Sequence, residues 1–510
     1  MNIPFKTETG LCISTLLCST LSCAAAAEGN SRPNIIFIMA DDHALEAISC
    51  YGSWLKDYAL TPNIDRLATE GMRFNNVCCN NSICSPSRAS IITGQYSHKN
   101  DVPILSPAII NPASPLYPVE IKKAGYQTAI VGKWHLDTPA TMYGYSCVTK
   151  GQGTYFNPAF IVDGVQQKPV TGYSSDVYTD RSLEWLEKRD KNKPFLLCLQ
   201  FKACHGPWEY PERMKALFTG VRFPEPATLY EDLSQANSLI KSQHQQKLDG
   251  NKSYYQQRSK GKKLPFPPHD PNDPKSRLSA AYQDLILKYL RCVAALDENV
   301  GRVLKYLDDQ GLTENTIVIY TSDQGFWLGQ HGMYDKRLIL DGSLKMPFLI
   351  RYPKEIKAGT VCDEMCSNVD FAETFLDYAG VEIPATMQGR SMRPLLKGEI
   401  PKDWPDAAFY NYPGDHPTHY GLRTKRYTLG FVLKNGWELY DNEKDPDQTR
   451  NLAANPEYAG VLKELQQKFT ELAGKLDVQK ADLSGVRNWP IYEEKIKKPA
   501  SEKGSKDTAD

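Results

Sequence analysis

Apolar residues in this chain cluster in two ways, and each predicts an element. Residues 34–39 (Asn-Ile-Ile-Phe-Ile-Met) form a continuous run rich in β-branched side chains, the pattern of a strand buried on both faces, and lead straight into Asp41 and Asp42. The same arrangement returns at residues 316–320, which pass through Thr321 and Ser322 into Asp323-Gln324-Gly325. Further strands are predicted at 128–131, before Lys133-Trp134-His135, at 195–201, before His205-Gly206-Pro207-Trp208, and at 346–351. The second pattern is helical: Tyr289, Val293, Leu296, Val300, Val303 and Leu307 share one stripe. Strands alternating with helices predict an α/β fold, a mostly parallel central sheet sandwiched by helices. Such sheets bind ligands beyond the carboxyl ends of their strands, and every polar cluster in this sequence falls at one of those ends.

Past about residue 370 the pattern changes. Residues 420–424, 427–432 and 437–440 read as short antiparallel strands, and Leu462, Leu465, Phe469 and Leu472 mark one face of a final helix. The chain of 510 residues is long for one core, so a catalytic unit over 31–370 and a smaller α+β subdomain over 371–485 are expected. Within the first unit, residues 218–277 are rich in Gln, Ser, Lys, Asp and Pro and read as a surface insertion. The charged residues 493–510 read as a disordered tail.

Composition narrows the class. Lys plus Arg and Asp plus Glu number 60 each, so nothing supports nucleic-acid binding, although a local basic pocket is compatible with that balance. Residues 1–27, with Lys6 ahead of an apolar stretch ending in Ala25-Ala26-Ala27, read as a secretory signal peptide, so the protein is expected to be exported, periplasmic or secreted. Thr20-Leu21-Ser22-Cys23 is an imperfect lipobox, which makes a surface lipoprotein the alternative. Of thirteen cysteines, ten lie beyond that leader. Export permits disulfides, with Cys362 and Cys366, or Cys78 or Cys79 and a distant partner, as candidates whose connectivity sequence does not fix.

One short run carries most of the chemistry. In Cys84-Ser85-Pro86-Ser87-Arg88, Ser85 is a good N-cap type, Pro86 suits the first helical position, and Arg88 falls in the first turn. Backbone N–H groups and a cation then converge on an anion beside a thiol. Asp41, Asp42, Asp323 and Gln324 offer oxygen ligands for a hard divalent cation. Lys133 suits charge developing on a tetrahedral anion, and His135 is placed to act as a base.

The run from Cys84 through Ala89-Ser90-Ile91-Ile92-Thr93-Gly94 resembles the signature of the type I sulfatases of the alkaline phosphatase superfamily. In that family the cysteine is oxidised to formylglycine by a maturation enzyme. The resemblance implies that Cys84 is the modified residue and that Asp41, Asp42, Asp323 and Gln324 bind one calcium ion with it, Gln324 standing where many relatives have Asn. It further implies that Arg88, Lys133, His135, His205 and Lys336 are catalytic. A hydroxyl of the hydrated aldehyde would attack sulfur while His205 or Lys336 protonates the departing alcohol, and His135 would then deprotonate the second hydroxyl to expel sulfate. The sequences around Gln324 and Tyr412 look most like bacterial sulfatases acting on N-acetylglucosamine 6-sulfate, so a sulfated glycan is the expected substrate, with Arg337, His416 and His419 as candidate substrate contacts and Trp134, Trp208 and Trp327 as ring faces for a sugar. Two alternatives stand beside this: a phosphate or phosphonate monoester hydrolase of the same superfamily, and a non-catalytic glycan-binding relative.

Overall fold

The run at 34–39 forms strand β1 (Asn34–Ala40), buried along its whole length in a computed structural model that describes residues 32–232, 238–241, 247–248, 268–270, 272–414, 417–479 and 483. Residues 1–27, read as a signal peptide, the charged residues 493–510 and His416 lie outside the described residues. After β1 come β2 (Met72–Cys78), β3 (Gln127–Lys133), β4 (Tyr145–Thr149), β5 (Phe160–Val162), β6 (Val165–Gln166), β7 (Phe195–Gln200) and β8 (Thr316–Ser322). The hairpin β9 (Trp327–Leu328) and β10 (Tyr334–Asp335) follows, then β11 (Lys345–Arg351), β12 (Thr360–Cys362) and β13 (Cys366–Ser367).

Eleven of these strands make one sheet, ordered β12-β2-β11-β8-β1-β7-β3-β4-β5-β6 with β13 also on β2. The five in the middle, β8, β1, β7, β3 and β4, are parallel. Antiparallel β11 and the β5–β6 hairpin flank them, so the sheet is mostly parallel as the patterning predicts. Alternation along β1 sends Ile35, Phe37 and Met39 to one face, where they join Tyr117, Phe371 and Phe375. It sends Ile36, Ile38 and Ala40 to the other, against Tyr289, Val293 and Leu296 of the Pro274–Asp309 helix. Helices therefore cover both faces, and the apolar stripe read from 289 to 307 is fully buried.

Beyond the large sheet, β14 (Ala407–Tyr412), β15 (His419–Thr424), β16 (Tyr427–Val432) and β17 (Gly436–Asp441) form a four-stranded antiparallel sheet. Its inner face, with Phe409, Leu422, Leu429 and Leu439, packs on Leu465 and Phe469 of the Ala459–Lys475 helix. The segment 218–277 is not confined to the surface: Phe223, Leu229, Leu239, Ile240 and Leu248 are interior, because its scattered apolar residues fill gaps beside the helical layers. Among the described residues all ten cysteines are free thiols, so none of the candidate disulfides is formed.

Candidate active site

Strand order brings the predicted residues together. β8, β1, β7 and β3 are neighbours, so the residues at or just past their carboxyl ends, Asp323 and Gln324, Asp41 and Asp42, His205, and Lys133 and His135, meet at one edge of the sheet. The Cys84–Thr93 helix points its first residue at them, with Cys84 Sγ 3.6 Å from Asp41 Oδ1. Sγ of Cys84, an Asp41 oxygen and a His205 ring nitrogen all lie within 4.8 Å of one another. The helix starts two residues earlier than expected. Ile83 occupies the cap and Cys84 the first helical position, while Ser85 is taken up by a hydrogen bond from its Oγ to the His135 carbonyl at 2.8 Å.

The centre is an array of buried opposite charges. Arg88 donates from Nε to Asp323 Oδ2 at 3.0 Å and from Nη1 to the Lys133 carbonyl and Gln200 Oε1 at 2.9 and 3.0 Å. Lys133 Nζ contacts Asp41 and donates to Gln152 Oε1 at 2.5 Å. Lys336 Nζ donates to both oxygens of Asp42 at 2.6 and 2.7 Å, and His205 Nε2 lies 3.7 Å from the same carboxylate. Burial would raise the Asp41 carboxyl, but Lys133, then His205, Arg88 and Lys336, outweigh it and hold it well below the usual range. Asp42 is pushed up to about 7 by burial, which Lys336 only partly offsets and Asp41 reinforces. The Cys84 thiol is pushed up to about 12, again by burial, so at neutral pH it is protonated and a weak nucleophile. Burial, aided by Lys133 and Arg88, drives His135 down to about 2, so its imidazole is neutral at working pH.

The acidic cluster fits a hard cation. Carboxylate oxygens of Asp41, Asp42 and Asp323 lie within 4.8 Å of one another, and all three side chains are buried. Gln324 sends its amide N–H to Asp42, while its Oε1 is buried with no hydrogen-bond partner. A buried acceptor without a donor costs roughly 1–3 kcal/mol, a debt that a calcium ion held by these oxygens would remove.

The candidate substrate contacts divide. Arg337 remains beside the site, paired with Asp335 and with its side chain 18% exposed. His419 does not face a substrate: it is fully buried, its Nε2 accepts from the Ile339 N–H at 3.1 Å and its Nδ1 donates to the Pro417 carbonyl at 2.8 Å. Trp208 and Trp327 are likewise buried, and their rings pack inside the protein instead of offering faces to a sugar, whereas Trp134, also largely buried, lines a groove beside His135. Three supporting residues escape a sequence reading. Gln200 braces Arg88, Gln152 contacts Lys133, and Tyr289 donates to the Asp42 carbonyl while accepting from the Ala44 N–H at 2.9 Å. For Gln200 a signal existed, a polar residue closing an otherwise apolar strand; Gln152 sits in a loop with none.

Comparison with known proteins finds relatives over most of the chain. Residues 33–381 match the family model described as Sulfatase, and residues 329–475 match that of the N-sulphoglucosamine sulphohydrolase C-terminal region. An N-acetylglucosamine-6-O-sulfatase of Bacteroides thetaiotaomicron is 39% identical over 504 residues, covering 89% of this chain and 88% of that protein. A solved structure in complex with its substrate D-glucosamine-2-N,6-O-disulfate superposes with a TM-score of 0.81 at 37% identity, covering 88% of this chain and 99% of that one. The fold also extends to the phosphonate monoester hydrolase of Agrobacterium radiobacter, with a TM-score of 0.70 at 20% identity over 87% of this chain and 96% of that one.

Proposed function

Because the chain belongs to the sulfatase family, and is a sulfuric ester hydrolase, we propose that it removes the 6-O-sulfate of N-acetylglucosamine in glycans. The observation that carries this reading is the convergence of Cys84 with Lys133, His135, His205 and Lys336 above three buried carboxylates, in a chain 39% identical to an N-acetylglucosamine-6-O-sulfatase.

Asp41, Asp42, Asp323 and Gln324 would hold one calcium ion, which when bound supplies positive charge to the nucleophile and to the sulfate oxygens. Converted to formylglycine by a maturation enzyme, Cys84 would supply a hydrated aldehyde as oxygen nucleophile in place of a thiol that is protonated at neutral pH. Lys133, on Asp41, and Lys336, on Asp42, both lie close to that position, and their ammonium groups would bind the oxygens of the sulfate. Arg88 fixes Asp323 at the helix start. By its place in the family's Lys-x-His element His135 would accept the proton that must leave for sulfate to be released, and His205 or Lys336 would deliver one to the leaving alcohol. Arg337 is the proposed contact to the sugar.

We further propose export after removal of residues 1–27, a catalytic unit over 31–370 and a C-terminal subdomain over 371–485, the helix Asp370–Tyr378 at their junction packing on β1 through Phe371 and Phe375. The apolar leader and the composition change near residue 370 support these boundaries. Among the described residues no helix is long and apolar enough to cross a membrane. The deciding experiment uses protein matured with a formylglycine-generating enzyme, verified by mass spectrometry of the Cys84 peptide, on a panel of sulfated monosaccharides. Sulfate release from N-acetylglucosamine 6-sulfate is expected; turnover confined to phosphate or phosphonate monoesters would overturn the reading.

A further inference from the structure

A groove of about 730 Å³ opens beside His135, and the reaction described above makes no use of it. One wall is the segment that follows Lys133. Its Asp137 exchanges hydrogen bonds with Ala108, N–H to carbonyl at 2.8 Å and Oδ2 from the Ala108 N–H at 2.7 Å. Thr138 Oγ1 accepts from the Ile110 N–H at 2.8 Å, and the Trp134 indole donates to the Thr138 carbonyl at 2.6 Å. The two loops are thus stitched together, and the wall is built before any ligand arrives.

The floor is a row of cross-strand neighbours. Val148 on β4 pairs with Ile161 on β5, which pairs with Gln166 on β6, so three side chains line one face of the sheet. The tip of that hairpin is anchored, because Asp163 Oδ1 accepts from the Ser146 N–H at 2.7 Å. A pre-formed cleft of this size, apolar with a few polar groups at its rim, has the dimensions and mixed lining of a small-molecule site. Hexoses present the same mixture, apolar C–H patches ringed by hydroxyls.

The groove meets the reacting centre at His135. His135 belongs to both, and β4 leaves the floor through Thr149, Lys150 and Gly151 to reach Gln152, whose Oε1 accepts from Lys133 Nζ at 2.5 Å. A sugar attached to the one whose sulfate meets Lys133 would therefore extend over this floor. We propose, resting on the sulfatase reading above, that the groove is a subsite for the monosaccharide adjacent to the sulfated one, so that the enzyme acts on chains in preference to free monosaccharides.

Thr141 is exposed at the rim, and Gln166 is exposed on the short edge strand; neither belongs to the reacting centre. Binding to the full chain with Cys84 unmodified is measured by calorimetry for N-acetylglucosamine 6-sulfate and for two disaccharides that extend it through C1 or through O4. One disaccharide is expected to bind at least about tenfold more tightly than the monosaccharide. Thr141→Trp and Gln166→Trp, each filling the groove from a different wall, are expected to erase that advantage while leaving monosaccharide binding within about twofold. Equal binding of all three ligands, or an advantage that survives in both variants, overturns the subsite. Matured enzyme separates the two claims: sulfate release from the monosaccharide with no gain on either disaccharide removes the subsite alone, whereas no sulfate release from any of them removes the sulfatase assignment, with the binding ratio still deciding the groove.

Discussion

Lys133 has a structural duty as well as a chemical one, and substitution separates them. In the metal-free protein it is the ammonium partner of fully buried Asp41. Removing one member of a buried pair costs about 3–5 kcal/mol, because the other charge is left uncompensated. Lys133→Ala is therefore expected to lower the melting temperature strongly in chelator and much less in excess calcium, where the ion takes over the neutralisation. Turnover should fall roughly 10²–10³-fold in either case, the usual loss when one preorganised donor to the transition state is removed. His419 makes a different prediction. Burial depresses its pKa to about 4, below the unfolded value near 6.5, so below that value the unfolded chain binds the extra proton. Its contribution is fully present above pH 6.5 and fades as pH drops toward 4, by about 3 kcal/mol at most. His419→Gln, which can serve both partners without titrating, is expected to show a shallower loss of melting temperature between pH 7 and pH 5. A histidine two residues past a proline in a polar stretch looked like a ligand contact; only the strands packed around it reveal that it is interior.

Individual elements were legible where a long apolar run stopped at a polar residue. β1, β3, β7 and β8 all end this way, and the reacting groups sit at those stops. β2 and β14 escaped because Arg and Asn interrupt the first and aromatic residues with Asn compose the second, so neither shows a clean period. The pairing that aims Lys133 depends on a residue that carries no chemistry at all. Gly132 has φ +110°, and a Cβ there would stand 2.0 Å from the Gln200 carbonyl oxygen of the neighbouring strand. Gly132→Ala must therefore push β3 away from β7 or distort both. A loss of at least about 2 kcal/mol is expected, read from the urea midpoint of unfolding, with activity falling further than stability because Lys133 moves with its strand.

Across the whole molecule, three carboxylates in one cavity are met by three cations, Lys133, Lys336 and Arg88, drawn from distant parts of the chain. This balance predicts that chelation leaves the protein folded by far-ultraviolet circular dichroism while lowering its melting temperature. Restoring calcium to about 1,000 times its dissociation constant should return roughly 4 kcal/mol. Unfolding on chelation would show that the cations do not suffice. Sequence could not reveal the balance, since it names the charged residues without saying that Lys336 reaches Asp42.

Burial of Cys84 also sets an order of events during synthesis. The folded chain leaves its side chain about 1% exposed, beneath residues that arrive with β8 more than two hundred positions later. A ribosome adding about 5–20 residues per second takes some tens of seconds to cover that distance. Over that interval the thiol emerges on a chain that cannot yet close over it, and any enzyme that must grip it has a deadline. Sequence separation here works as a timer: the strand that completes the pocket is also the one that ends access to Cys84.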